Sequence, residues 1–113
     1  MNMKQAFLTL VLVATAGSAA FAQIFVEGVK LNADNTGQYI ELDPQFRTDG
    51  RCAFQVDYGQ SNPKEDHVTD ENGRQIDFRS LVDGLNTFYA EGWEVAQITL
   101  VGNGRRYLLK RRY

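Results

Sequence analysis

Residues 79–93 constrain the fold of this chain most, because beyond residue 22 they alone have a helical pattern. Five apolar residues recur along one side of such a helix: Leu81, Val82, Leu85, Phe88 and Tyr89. The segments on either side instead have the alternation and turn residues of strands and loops. The pattern therefore predicts one helix that covers one face of a β-sheet, which is an α+β fold.

Both ends of the predicted helix have recognisable signals. Ser80 is a suitable N-cap, and Asp83 suits the positive end of the helix dipole. Gly92 can adopt the left-handed conformation that ends many helices, which lets Trp93 pack back against the last turn. Gly84 is less favourable than alanine inside a helix by ~1 kcal/mol. We therefore expect Trp93 in the core and a close approach of helix and sheet at Gly84.

The first 22 residues have the parts of a secretory signal peptide. Lys4 supplies the positive charge, residues 6–14 form a short apolar core, and Ala20-Phe21-Ala22 is a small-x-small cleavage site. The apolar core is short for crossing a bilayer, although a membrane anchor is the alternative. We predict a periplasmic or secreted protein with no transmembrane segment after cleavage, and a single domain over residues 23–113.

The rest of the chain is predicted to form an antiparallel sheet of about five or six strands. Asp43-Pro44 should end the second strand, and Gly102-Asn103-Gly104 should join the last two strands in a hairpin. One helix covers only part of such a sheet. An exposed sheet face or edge is therefore available for a homodimer or a protein partner. The predicted strands cover residues 24–31, 38–42, 51–58, 74–78, 94–101 and 105–112.

Cys52 and His67 are the only cysteine and the only histidine. Apolar and polar residues alternate around Cys52, which places its thiol on the buried face of a strand. A thiolate nucleophile would need His67 beside it as a base. We therefore interpret Cys52 as a buried structural residue, and an enzyme that uses Cys52 and His67 is the alternative.

Residues 60–72 form the longest polar stretch, which we interpret as a charged surface loop. The spacing of its acidic residues matches neither a zinc site nor an EF-hand. We therefore predict no catalytic residue, no metal and no cofactor. An enzyme that uses these acidic residues in place of Cys52 and His67 would require several carboxylates to meet in one cleft, namely Asp57, Glu65, Asp66 and Asp70.

The last predicted strand carries five cations that could bind an anionic glycan or lipid. The alternative is a solvated edge strand whose charges prevent aggregation, and its arginines would then contribute little to stability. The net charge of −2 argues against nucleic acid as a partner. The candidate ligand-binding cations are Arg105, Arg106, Lys110, Arg111 and Arg112.

Asn86 lies at the margin of the apolar side of the helix. A polar side chain in this position is expected to bond a loop backbone, such as the turn at Gly59-Gln60. A ligand-binding role shared by Gln60 and Asn86 is the alternative.

Several motifs resemble those of small exported bacterial proteins of unknown function. They are VDYGQ (56–60), DENG (70–73), FRSLVDGLN (78–86), GW (92–93) and YLLK (107–110). The helix–GWE–strand–YLLKR ending is also similar to a wider family of short domains of unknown function, in which a helix packs on an antiparallel sheet. The resemblance begins near Val56 and implies fold and export, with no activity or ligand. Gly84 departs from the alanine expected there.

These observations together predict an exported, non-enzymatic binding or accessory domain whose ligand the sequence does not identify. Adhesion to an anionic glycan or lipid through the basic C-terminal hairpin is one alternative. An enzyme that uses Cys52 and His67, or the acidic loop, is the other.

Overall fold

The computed structural model describes residues 23–32, 34–62 and 66–113. The predicted signal peptide lies outside these residues, as do Ala33 and residues 63–65 of the polar loop. The elements are, in order, β1 (Phe25–Val26), β2 (Val29–Lys30), β3 (Tyr39–Phe46), β4 (Cys52–Asp57), β5 (Val68–Thr69), α1 (Leu81–Ala90), β6 (Trp93–Val101) and β7 (Gly104–Arg111).

The strands form two antiparallel sheets. A three-stranded sheet has the order β2-β1-β5, and a four-stranded sheet has the order β4-β3-β7-β6. The α+β class and the antiparallel pairing are confirmed, and α1 is the one helix among the described residues. The predicted single sheet of five or six strands is only approximate, because the described residues form seven strands that are divided between two sheets.

A tight turn accounts for part of this difference. Residues 24–31 were predicted as one strand, but the chain reverses at Glu27 and Gly28, whose φ angles of 51° and 81° are both left-handed. This conformation suits a two-residue hairpin turn, so β1 pairs with β2 instead of continuing into it. The Gly28 N–H donates to Thr69 Oγ1 at 2.8 Å, which attaches the turn to β5.

The polar stretch 60–72 contains the short strand β5, which the sequence pattern did not predict. Val68 and Thr69 are each only 1% exposed. The segment around β5 also contacts the outer side of β4, through bridges that join Gln55 to His67 and Cys52 to Phe78. β4 is therefore covered along its outer side, and the open edge of the four-stranded sheet lies at β6.

Strand β3 continues through Pro44 to Phe46, whereas Asp43-Pro44 was predicted to end it. Its pairing with β7 stops at Leu42, opposite Tyr107, while its pairing with β4 continues to Phe46. Proline has no N–H to donate to a neighbouring strand. The strand tolerates Pro44 because β3 is no longer paired with β7 beyond Leu42.

Helix α1 packs on the face of the four-stranded sheet that carries the core residues of β3, β4 and β7. Phe54 of β4 is fully buried, with its ring centroid 5.6 Å from that of Phe78 and 6.0 Å from that of Phe88. A Cβ at Gly84 would overlap this ring and lie 2.7 Å from Phe54 Cζ. The predicted close approach at Gly84 is therefore confirmed, and Phe54 is its cause.

The predicted ends of α1 are also confirmed. Ser80 Oγ accepts a hydrogen bond from the Asp83 N–H at 3.1 Å, as an N-cap does. Gly92 has a left-handed φ of 98° and leads directly into Trp93, which is 4% exposed. None of the helices in the described ranges has the length and apolar composition needed to cross a membrane.

Candidate binding surface along strand β6

Strand β6 is the outer strand of the four-stranded sheet. In the part of the chain that the structure describes, β7 is its only neighbouring strand. Only Trp93, its first residue, is buried, and each of the following residues from Glu94 to Val101 is exposed. The unpaired backbone groups on its outer side can therefore accept another strand.

The pairing register shows which side chains of β6 lie on the helix side of the sheet. Val95 pairs with Leu109 and Ile98 pairs with Tyr107, and both of these β7 residues are buried in the core. Side chains that are directly opposite on paired strands share a face. Val95, Ile98 and Leu100 therefore lie on the helix side, yet they are 42%, 51% and 76% exposed.

Helix α1 contacts both β4 and β6, but it leaves these three residues of β6 exposed. Gly84 packs against Phe54 of β4. At the end of the helix, burial raises the pKa of Glu91, and the charge of Lys30 in β2 partly opposes that shift. Glu91, the C-cap residue of α1, is therefore near enough to β2 to be affected by its charge.

One flank of α1 carries Val82 and Tyr89, which are two turns apart and both more than half exposed. Tyr89 lies beside the end of β7, because the Arg112 guanidinium is 4.2 Å from the centroid of its ring. We call the exposed apolar residues of this flank and of β6 the open apolar surface. Its members are Val82, Tyr89, Val95, Ile98 and Leu100.

A shallow depression of about 200 Å³ lies at one end of the open apolar surface. Leu100 pairs with Arg105, which lines the depression and brings a positive charge to it. The other lining residues are Pro44, Phe46, Leu81, Asn103, Gly104 and Tyr107. The surface is therefore apolar along its length and cationic at this end.

The five cations of the last strand do not form one patch. Successive side chains of a strand point to opposite faces, so Arg105 and Arg111 lie on the helix side while Arg106 and Lys110 lie on the other side. Arg106 is 3.8 Å from a carboxylate oxygen of Glu41. A flat anionic surface could therefore meet only some of these charges at once.

Arg111 and Arg112 make contacts within the protein that the sequence did not predict. Arg111 Nε donates to the Gly37 carbonyl oxygen at 3.0 Å, its Nη2 also bonds Thr36, and its guanidinium lies 4.8 Å from the centroid of the Trp93 ring. Arg112 Nη2 donates to the Tyr89 carbonyl oxygen at 2.8 Å. Both side chains therefore hold parts of the fold together.

Replacing Arg111 with alanine is expected to lower the free energy of unfolding by about 1–2 kcal/mol, because it removes two hydrogen bonds from a charged donor and a cation–π contact. Lys110→Ala, at the exposed neighbouring position, should change the free energy by less than ~0.5 kcal/mol. Urea denaturation of both variants beside the parent measures the difference. Equal stability of the two variants would contradict the structural role of Arg111.

Gln60 and Asn86 are not joined by a hydrogen bond. The Gln60 side chain is used within its own turn, where it accepts from the Tyr58 N–H and donates to the Val56 carbonyl oxygen and to Asp66. Asn86 is exposed, and in the described ranges it makes no hydrogen bond to the Gly59-Gln60 turn. The expected hydrogen bond from Asn86 to this turn is therefore not found among the described residues.

Cys52 and His67 lie at different places along β4. Cys52 is bridged to Phe78, whereas His67 is bridged to Gln55, three residues further along the strand, or ~10 Å. Cys52 is fully buried, and its thiol donates to the Ala53 carbonyl oxygen at 3.4 Å. Burial raises the pKa of this thiol, which disfavours the nucleophilic thiolate. The geometry thus supports a structural cysteine.

A thiol reagent should therefore label Cys52 slowly in the native protein and rapidly after denaturation. The physical reason is twofold, since the sulfur is inaccessible and its raised pKa keeps it protonated at neutral pH. The rate of labelling with and without denaturant is the measurement. Rapid native labelling would restore Cys52 as a candidate nucleophile.

The acidic residues near the polar loop serve local turns. Asp57 accepts from the Gly59 N–H, and Asp70 accepts from the N–H groups of Asn72 and Arg74. Asp66 accepts from Gln60, while Glu65 lies outside the described residues. Among the residues that the structure describes, no three His, Cys, Asp or Glu side chains are placed to hold a metal ion.

The sequence did not identify the open apolar surface. It predicted that one helix would leave part of the sheet exposed, but it assigned the possible ligand contacts to Gln60, Asn86 and the cations. The signal that could have indicated this surface is the sequence of residues 94–101, an apolar segment in which Glu94 is the single charged residue.

Comparisons with protein-family models, with curated proteins and with solved structures found no match to this chain. The resemblance to small exported proteins and to a family of short domains therefore stays a prediction.

Proposed function

We propose that this protein is an exported, non-enzymatic binding domain that binds another polypeptide along β6. The partner is either a second copy of the chain or a different protein, and it adds a strand to the open edge of the four-stranded sheet. The observation that carries this proposal is the exposure of β6 from Glu94 to Val101 at that edge.

The composition of β6 supports this proposal. Natural edge strands commonly avoid association by being short or by carrying lysine or proline. β6 is nine residues long and contains neither lysine nor proline. Glu94 is its one charged residue. Backbone hydrogen bonds of an added strand would supply affinity, and the open apolar surface would select its side chains.

The distribution of charge favours a polypeptide over an anionic glycan or lipid. Arg111 and Arg112 bond the backbone of the protein itself, and Arg106 pairs with Glu41. By contrast, the apolar residues of β6 and of the adjacent helix flank form an extended surface that a strand and its side chains can cover.

Photo-crosslinking in the native compartment tests this proposal. A photoreactive amino acid at Leu100, on the open apolar surface, should give discrete protein adducts. The matched control is Tyr39, which is half exposed but lies on the other face of the sheet, directly opposite Lys110 of β7. We expect no discrete adduct from Tyr39. Absence of adducts at Leu100, or the same adducts at both positions, would overturn the proposed surface.

Export is part of the same proposal, because a binding domain of the periplasm or cell exterior must leave the cytoplasm. The protein isolated from that compartment should begin at Gln23, with or without cyclisation to pyroglutamate. An intact-mass measurement checks this start. Retention of residues 1–22 would contradict export by a cleaved signal peptide.

A further inference from the structure

We propose that the strand added to β6 is β6 of a second copy of this chain, running antiparallel about a two-fold axis. This inference rests on the proposed binding role of β6 and names its partner. The resulting sheet would have eight strands, with the two copies of β6 at its centre.

A β-bulge in β6 is the first reason to choose a second copy. The register with β7 shifts between Val95 and Gln97, so that β6 contains an extra residue at this point. A bulge normally protects an edge, because a regular strand cannot keep its hydrogen bonds in register across it. A second β6 has the same bulge, so two antiparallel copies can align their bulges against each other.

This alignment fixes the pairing of the two strands. When the bulges face each other, Val95 of one copy lies opposite Ile98 of the other, and Trp93 lies opposite Leu100. All four residues are on the helix side of the sheet in the pairing with β7. The apolar side chains of the two copies therefore form one continuous row on a single face, as directly opposed residues require.

The absence of charge repulsion on the other face is the second reason. In the same alignment Glu94 lies opposite Thr99 of the second copy. Thr99 pairs with Arg106 within its own chain, and Glu94 pairs with Lys110 within its own chain. Glu94 therefore has Lys110 of its own chain on one side and the neutral Thr99 of the second copy on the other. No like charges are placed directly opposite each other.

The association of the purified protein tests the proposal by sedimentation velocity over a range of concentrations. The parent should form dimers at high concentration. Val95→Lys should raise the dimer Kd by about tenfold or more, because the ammonium group meets an apolar neighbour. The matched control is Val29→Lys on β2, an edge valine of similar exposure, which should leave the Kd unchanged. A parent that stays monomeric, or equal effects of both lysines, would overturn the dimer.

Disulfide formation between two variants tests the register, and it does not depend on the folding of Val95→Lys. Glu94→Cys and Thr99→Cys should each form few covalent dimers alone but should cross-link rapidly when mixed. The native Cys52 is buried and should not interfere. Cross-linking of either variant with itself and not with the other would refute this pairing.

The two proposals fail in different ways. If the parent is monomeric but Leu100 gives adducts with another protein, the second copy is wrong and the binding role of β6 stands. If the parent is monomeric and Leu100 gives no adducts, both proposals are wrong.

Discussion

Replacing Trp93 with alanine is expected to lower the free energy of unfolding by about 3–5 kcal/mol, as truncation of a large buried aromatic does. The indole is 4% exposed and belongs to the main core cluster. It also lies beneath the guanidinium of Arg111, 4.8 Å from the ring centroid. Its removal would therefore leave a cavity where the end of α1, β6 and β7 meet.

A domain of this size has a total stability of about 5–15 kcal/mol, so the variant should be largely unfolded or barely folded near body temperature. Urea denaturation followed by circular dichroism measures the loss. Leu100→Ala is the control on the same strand, since Leu100 is 76% exposed and should contribute less than ~0.5 kcal/mol in the monomer. If Trp93→Ala unfolded at the same midpoint urea concentration as the parent, the indole would lie on the surface and would become a candidate binding residue.

The features that sequence reasoning predicted correctly depend on neighbouring residues. The N-cap at Ser80 and the left-handed end at Gly92 are local properties of the helix, and both are present. Gly84 was informative because it is locally unfavourable, and an unfavourable residue inside a helix indicates a tertiary constraint. The structure identifies that constraint as the ring of Phe54.

The features that the sequence did not predict depend on distant partners. The turn at Glu27-Gly28 lacks the usual Asn-Gly signal, and the Thr69 hydroxyl helps to hold it. Strand β5 is two residues long and is recognisable only from its pairing with β1. Similarly, Arg111 resembles a solvated strand residue until Trp93 and the Gly37 carbonyl oxygen are brought beside it.

The candidate surface could not be located from the sequence because strand order is a tertiary property. The apolar segment 94–101 would suit a buried central strand, as its near-continuous hydrophobicity indicates. The structure instead places it at the edge, where β7 covers one side of the strand and α1 leaves residues 94–101 exposed. Hydrophobicity that would be ordinary inside a sheet thus becomes a binding property at its edge.

Replacing Gly84 with alanine should also destabilise the protein, although alanine is the better helix former by ~1 kcal/mol. The added methyl group would overlap the ring of Phe54. That ring is fully buried, and Phe78 and Phe88 pack against it, so it cannot turn aside without disturbing the core. Overpacking of this kind costs about 1–3 kcal/mol, which exceeds the gain in helix propensity.

Two further variants separate overpacking from other effects in the same denaturation experiment. Asn86→Ala, at an exposed position of the same helix, should leave stability unchanged or raise it by ~0.5 kcal/mol, because only helix propensity changes. Phe54→Leu removes part of the ring that the new methyl group meets. The Gly84→Ala, Phe54→Leu double variant should therefore lose less stability than the sum of the two single losses. Strict additivity, or a stabilising Gly84→Ala, would show that the helix does not rest on Phe54 at this position.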